Sequence, residues 1–190
     1  MQVQADENEI AVYAYGMEVF LNNFIELILL LLLAFFLDIF EPAVLVLAAF
    51  MAFRIPGGGV HLSTYVRCLL FSVTVILCLA KLSTIILVDT ELLLCLILLT
   101  ALLALITIIK WVPGDTEKKP LRDPELIKKQ KLKTAVSFLL WLLLLFILLW
   151  QGYCFYIQAL LLGALGGLFW ISPWGYRFIN KLDYFLDMQE

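Results

Sequence analysis

The sequence predicts an all-α protein, a polytopic membrane bundle of about six helices, and three observations carry that prediction. Hydrophobic residues make up 64% of the 190 residues, against roughly 45–50% in soluble domains. Mean hydropathy is +1.01, and a soluble chain of this size has too little interior to hide that much apolar side chain. Apolar runs recur along the whole chain, divided by short polar breaks. The charges gather in those breaks, so the net charge of −3 says little, and nothing in the pattern points to nucleic acid. A single membrane-embedded domain over residues 1–190 is expected, with the lipid bilayer as its solvent.

Taken in order, residues 1–20 contain no Lys or Arg, unlike the basic start of a cleaved signal peptide. Residues 10–20 mix apolar side chains with Tyr13, Tyr15 and Glu18, which suits an interfacial helix. Residues 23–37 with their approach reach the ~20 residues needed to cross a bilayer. Glu26, near the start of that run, should face the interface or the protein interior. Residues 42–53 form a run that is short for a span and is ended by Arg54. It suffices only if Ile55-Pro56 extends it or other helices surround it. Pro56-Gly57-Gly58-Gly59 follows; proline and glycine disfavour helix interiors. Broken backbone at membrane depth persists only when buried in protein or lining a wet cavity, so this loop lies at the surface or at a functional cavity.

Residues 69–88 and 92–109 are the third and fourth runs, joined so briefly that they must form an antiparallel hairpin. Lys81, inside the third, either snorkels or lines a polar path. Residues 110–133 form the one extended hydrophilic segment, a basic loop in which Asp123 as N-cap and Pro124 at N1 can start a helix. Residues 138–150 and 155–171 are the fifth and sixth runs, parted by Gln151-Gly152; the sixth is closed by Ser172-Pro173. Gly163, Gly166 and Gly167 give the sixth a face that another helix can approach closely, a basis for a homodimer. Trp170, Trp174 and Tyr176 suit an interfacial belt. In a six-span arrangement every basic residue but Lys81 falls on one side, which is therefore cytoplasmic. Both termini and residues 54–68 are expected on that side.

Residues 54–68 read R-I-P-G-G-G-V-H-L-S-T-Y-V-R-C and hold the single histidine of the chain, His61, seven residues before Cys68. A thiol is a weak nucleophile until a neighbouring imidazole takes its proton. Acyl chemistry also needs donors where an oxyanion forms, and the backbone N–H groups of Gly57–Gly59 or the Arg54 guanidinium can supply them. Seven residues of straight helix would separate His61 and Cys68 by about 10.5 Å along the axis. Helical side chains also lean toward the N-terminus. The pair therefore closes only if His61 precedes the helix, with Ser63 or Thr64 as N-cap and Cys68 within the first two turns. Cys78, Cys95 and Cys154 read as small buried apolar residues. With no second histidine and no acidic neighbour, neither a metal nor a cofactor is expected.

Arg54, Gly58-Gly59, His61 and Cys68, with Ser63 and Thr64 between, resemble the hallmark of the accessory gene regulator B peptidases of Gram-positive bacteria. Pro113-Gly114 and the lysine-rich segment after it, and Tyr15-Gly16 with Glu18, resemble the same family's hydrophilic loop and N-terminal segment. The resemblance implies a multi-pass cell-membrane cysteine endopeptidase that cuts the C-terminal part from a small amphipathic pheromone precursor in quorum sensing. The enzyme holds the remaining fragment as a thioester, and an internal cysteine or serine closes it into a thiolactone or lactone. On this sequence Cys68 becomes the nucleophile and His61 the base, with Arg54, Gly58 and Gly59 shaping the loop or the oxyanion site. The basic segment, through Lys118, Lys119, Lys128 and Lys129, can attract an acidic tail on the precursor, and the resemblance also implies a homodimer. The competing reading is a small membrane transporter or peptide-exporting scaffold without covalent catalysis, with Lys81 and the glycine break as its substrate site.

Overall fold

The computed structural model describes residues 7–86, 88–114 and 123–188. It contains seven helices: α1 (Glu7–Phe36), α2 (Phe40–Gly57), α3 (Tyr65–Ile85), α4 (Thr90–Lys110), α5 (Pro124–Trp150), α6 (Cys154–Ile171) and α7 (Pro173–Asp187). The first six are long and apolar enough to cross a membrane, so the all-α, six-span expectation holds. Many of their large apolar side chains point outward, as a lipid-facing surface requires.

The core forms around α2 and α6, which pack on each other more extensively than any other pair. Over half of α6 is buried, against about a tenth of the α1 span. The reason lies in the sequence of α6. An added Cβ on Gly163 would collide with the Val46 carbonyl, and one on Gly167 would lie 2.8 Å from the Phe50 carbonyl oxygen. Bare backbone at these positions lets two helices meet without intervening side chains. The small-residue face expected to serve a dimer is therefore spent inside the chain, on α2. This packing also explains how a short second run survives: it continues through Ile55 and Pro56 to Gly57, 18 residues in all, and lies among neighbours.

Four local expectations change. Residues 10–20 are not a separate interfacial helix but continue into α1 without a break. Pro56 stays inside the last turn of α2, so the break begins at Gly58. Trp170 is buried rather than interfacial, beneath Val60, Leu62 and Ile179. Cys78 and Cys95 are exposed, not buried. Lys81 is also exposed, sixteen residues along α3 from its start and about 24 Å away by helical rise. It lines no part of the cleft described below.

One element goes beyond the sequence reading. Ser172-Pro173 ends α6 but also begins α7: the Ser172 hydroxyl accepts from the Gly175 N–H at 3.4 Å and Pro173 occupies the first turn. The pattern was a helix start as well as a stop. α7 buries Gly175 and Ile179 while Arg177, Lys181, Asp183 and Asp187 stand on its polar side, the build of a helix lying along a membrane surface.

Candidate active site

Between α2 and α3 the chain runs extended for seven residues, and three segments distant in sequence hold it. The Gly59 N–H donates to the Gly114 carbonyl at 3.1 Å, and the Gly114 N–H donates to the Gly57 carbonyl at 2.7 Å. The Val60 N–H donates to the Trp170 carbonyl at 3.3 Å. Gly58 and Gly59 have φ of +74° and +125°, conformations open chiefly to glycine. A side chain on Gly59 would also strike the Arg54 guanidinium and approach the Trp170 carbonyl to 2.6 Å.

Arg54 completes the loop from within. Nη1 donates to the Gly58 carbonyl at 2.8 Å and Nη2 donates to the Val60 carbonyl. A planar fork satisfying two carbonyls of one turn is a geometry that a lysine cannot reproduce. Of the two roles expected for Arg54, the loop-shaping one accounts for these bonds.

Past Val60 the extended backbone turns alternate side chains to opposite faces. Val60 and Leu62 point into the apolar cluster with Trp170 and Ile179, so His61 and Ser63 point outward. α3 then starts at Tyr65. Thr64 is its N-cap, the hydroxyl accepting from the Arg67 N–H at 3.4 Å. Cys68 stands in the first turn of α3, its N–H bonded to the Thr64 carbonyl at 3.0 Å. The result brings His61 Nδ1 to 3.7 Å from Cys68 Sγ. The helix break that the seven-residue spacing demanded is present, and it closes the pair.

α7 fastens the connector from outside. Asp183 accepts from the Ser63 N–H at 2.9 Å and from the Ser63 hydroxyl at 3.0 Å. Arg67 bonds Asp187 and approaches Asp183 at 3.9 Å. These acids stand 120 residues from their partners; the one local signal for them was the four-residue spacing of Asp183 and Asp187 on an amphipathic helix.

The electrostatics favour a neutral base. His61 is open to solvent at its edge, yet enough protein surrounds the ring for desolvation to pull its pKa down to about 4, with the Arg54 charge adding to the shift. At neutral pH the imidazole is uncharged and can accept a proton from the adjacent thiol.

The pair opens onto a cleft of about 780 Å³ between α1, α2 and α3. Its walls are chiefly apolar, with Phe20, Leu27, Leu47, Phe50 and Phe71 among them; its polar groups include Glu26, Arg54, His61, Cys68 and Ser72. Gly58 also lines it, whereas Gly59 supports it from behind. Lys128 and Lys129 are exposed on α5 and line no part of the cleft. Lys118 and Lys119 lie outside the described residues. Among the described residues no group of three His, Cys, Asp or Glu side chains is gathered as metal ligands would be.

Residues 2–172 match the sequence model of accessory gene regulator B. Among curated proteins, the chain is 23% identical over 150 residues to accessory gene regulator protein B of Staphylococcus aureus strain bovine RF122 / ET3-1, covering 79% of this chain and 75% of the relative. The protein of the same name from strain JH9 is 24% identical over the same shares. No solved structure matches. With a family match spanning nearly its whole length, the chain belongs to the accessory gene regulator B family.

Proposed function

We propose that this protein is a membrane cysteine endopeptidase that processes a small amphipathic pheromone precursor for quorum sensing, with Cys68 as nucleophile and His61 as base. The observation that carries the proposal is the 3.7 Å approach of His61 Nδ1 to Cys68 Sγ at the wall of an apolar cleft. Neutral His61 takes the thiol proton as Sγ attacks the scissile carbonyl, and returns it to the leaving amine of the C-terminal fragment. The N-terminal fragment stays on Cys68 as a thioester, in a cleft whose apolar walls restrict water. An internal cysteine or serine of that fragment then displaces Cys68 and closes a thiolactone or lactone.

The arrangement at one end of the bundle supports a cytoplasmic site. The glycine loop, residues 111–114 and the junction of α6 with α7 are bonded together there, and Arg54, Arg67, Lys110, Arg177 and Lys181 lie on the helices that flank those segments. Positive charge beside the spans favours the cytoplasmic face. Such a site receives a precursor lying on the inner leaflet, and lysines of the basic segment attract its acidic tail. Two copies of the chain can pair only through faces other than the glycine face of α6.

The non-covalent transporter reading is weakened, because Lys81 is exposed and lines no part of the cleft. The test is co-expression with a short amphipathic precursor peptide that carries an internal cysteine or serine and an acidic tail, followed by mass spectrometry of the peptide. Cys68→Ala and His61→Ala should each abolish cleavage while the protein still accumulates in membranes. Normal cleavage by either variant contradicts the proposal.

A further inference from the structure

The inner stripe of α1 carries two polar residues among apolar ones. Asn22, Glu26, Leu30 and Ala34 follow one another at four-residue spacing, so they share a face, and Leu30 and Ala34 are fully buried on it. Both polar members are tied to α3. The Tyr65 hydroxyl donates to the main-chain carbonyl of Asn22 at 2.8 Å, and the Ser72 hydroxyl donates to the Glu26 side chain at Oε1. Tyr65, Cys68 and Ser72 follow at three- and four-residue spacing on α3, one face again. Cys68 therefore stands on the α1–α3 seam between two polar ties, with His61 reaching it from the loop and Glu26 held one turn further along.

A carboxylate inside a membrane span is costly and normally marks a working site. Glu26 is half-buried, lines the cleft and takes one hydrogen bond on Oε1; among the described residues none reaches its other oxygen. His61 already serves the first proton transfer. The second step has a different geometry. An acyl fragment on Cys68 would occupy the cleft that Glu26 also lines, so an internal nucleophile that reaches the thioester through the cleft passes that carboxylate.

We infer that Glu26, oriented by Ser72, is the general base for ring closure, accepting the proton of the internal cysteine or serine as it attacks the Cys68 thioester. This rests on the thioester mechanism proposed above. In the step, the attacking sulfur or oxygen forms a bond to the acyl carbon and its proton passes to Glu26. The bond from the acyl carbon to Cys68 Sγ breaks, and the departing thiolate takes that proton back from Glu26. Nothing is oxidised and no co-reactant is consumed.

The experiment uses the protein in liposomes with a short amphipathic precursor peptide that carries an internal cysteine or serine and an acidic tail. Mass spectrometry follows three species together: Cys68 thioester, macrocycle and linear hydrolysed fragment. Glu26→Gln should shift the partition, with the ratio of macrocycle to thioester falling by roughly 10²-fold, the scale of general-base catalysis. Ser72→Ala should shift it in the same direction by less, and Glu26→Asp should restore part of it. A wild-type partition in Glu26→Gln overturns the inference. So does loss of thioester formation in step with macrocycle, because that pattern belongs to a structural role. The alkylation rate of Cys68 by a maleimide in both Gln and Asp variants verifies that the site is still folded. Failure of the wild-type protein to form any thioester overturns the parent mechanism, and this inference with it.

Discussion

Two glycine clusters meet α2, and they solve different problems. At its C-terminal end, Gly58 and Gly59 supply backbone angles, φ of +74° and +125°, that reverse the chain and let His61 meet Cys68. Along its middle, Gly163 and Gly167 of α6 keep ordinary helical backbone and supply only the absence of a side chain. The first cluster shapes a site and the second holds a bundle. Perturbing the first should therefore cost activity in a folded protein, whereas perturbing the second should cost stability first.

The largest effect is expected from Gly59→Ala. It forces a left-handed backbone angle on alanine and drives Cβ into the Arg54 guanidinium. A displacement of about 1 Å at the reacting atoms is enough for a 10²-fold loss. Peptide cleavage per mole of membrane-inserted protein should fall by at least about that much, with helix content unchanged. Arg54→Lys keeps the charge but loses the fork to Gly58 and Val60. It should lower cleavage, though less than Gly59→Ala, and wild-type cleavage in Arg54→Lys would contradict the loop-shaping role.

Gly163→Ala breaks the comparison from the other side. Its Cβ meets the Val46 backbone, and overpacking of this kind costs about 1–3 kcal/mol. Thermal unfolding in detergent should shift down, while cleavage by the fraction that remains folded stays near wild type. Reversal of the two outcomes, with Gly59→Ala unstable and Gly163→Ala inactive but stable, would overturn the division of roles.

The smallest effect concerns pH. His61 works as a base only when neutral, and its depressed pKa of about 4 keeps it neutral until well below the ordinary imidazole range. Activity is lost as pH falls through that value. Cleavage should vary by less than about twofold between pH 7 and pH 5.5, with the acid limb near 4. An acid limb centred near 6.5 would mean that the ring is solvated as in a free histidine.

How much of this was legible in the sequence follows from the range of each interaction. The spans were readable because hydropathy is a property of each run by itself, and the break before α3 was readable because Pro-Gly-Gly-Gly is local. An N-cap at Ser63 or Thr64, and the need for His61 to precede the helix if it is to meet Cys68, followed from helix geometry over seven residues; the structure uses Thr64. The partners of the glycines were not readable: Gly163 and Gly167 fit lipid, a second copy or α2 equally well in one sequence. What Asp183 and Glu26 bond to was hidden for the same reason. Their partners, Ser63 and Ser72, lie 120 and 46 residues away, and only the packing of α7 and α1 on α3 brings them together. Ser172-Pro173 was legible in principle, since one serine can stop one helix and cap the next.

The central claim is that Cys68 takes up an acyl group, and intact-protein mass spectrometry after brief mixing with the precursor peptide tests it most directly. The account predicts a mass increase equal to the N-terminal fragment, on Cys68, released by neutral hydroxylamine and missing in Cys68→Ala. A precursor that is cut while Cys68 never carries an acyl group, or is cut equally well by Cys68→Ala, would contradict it.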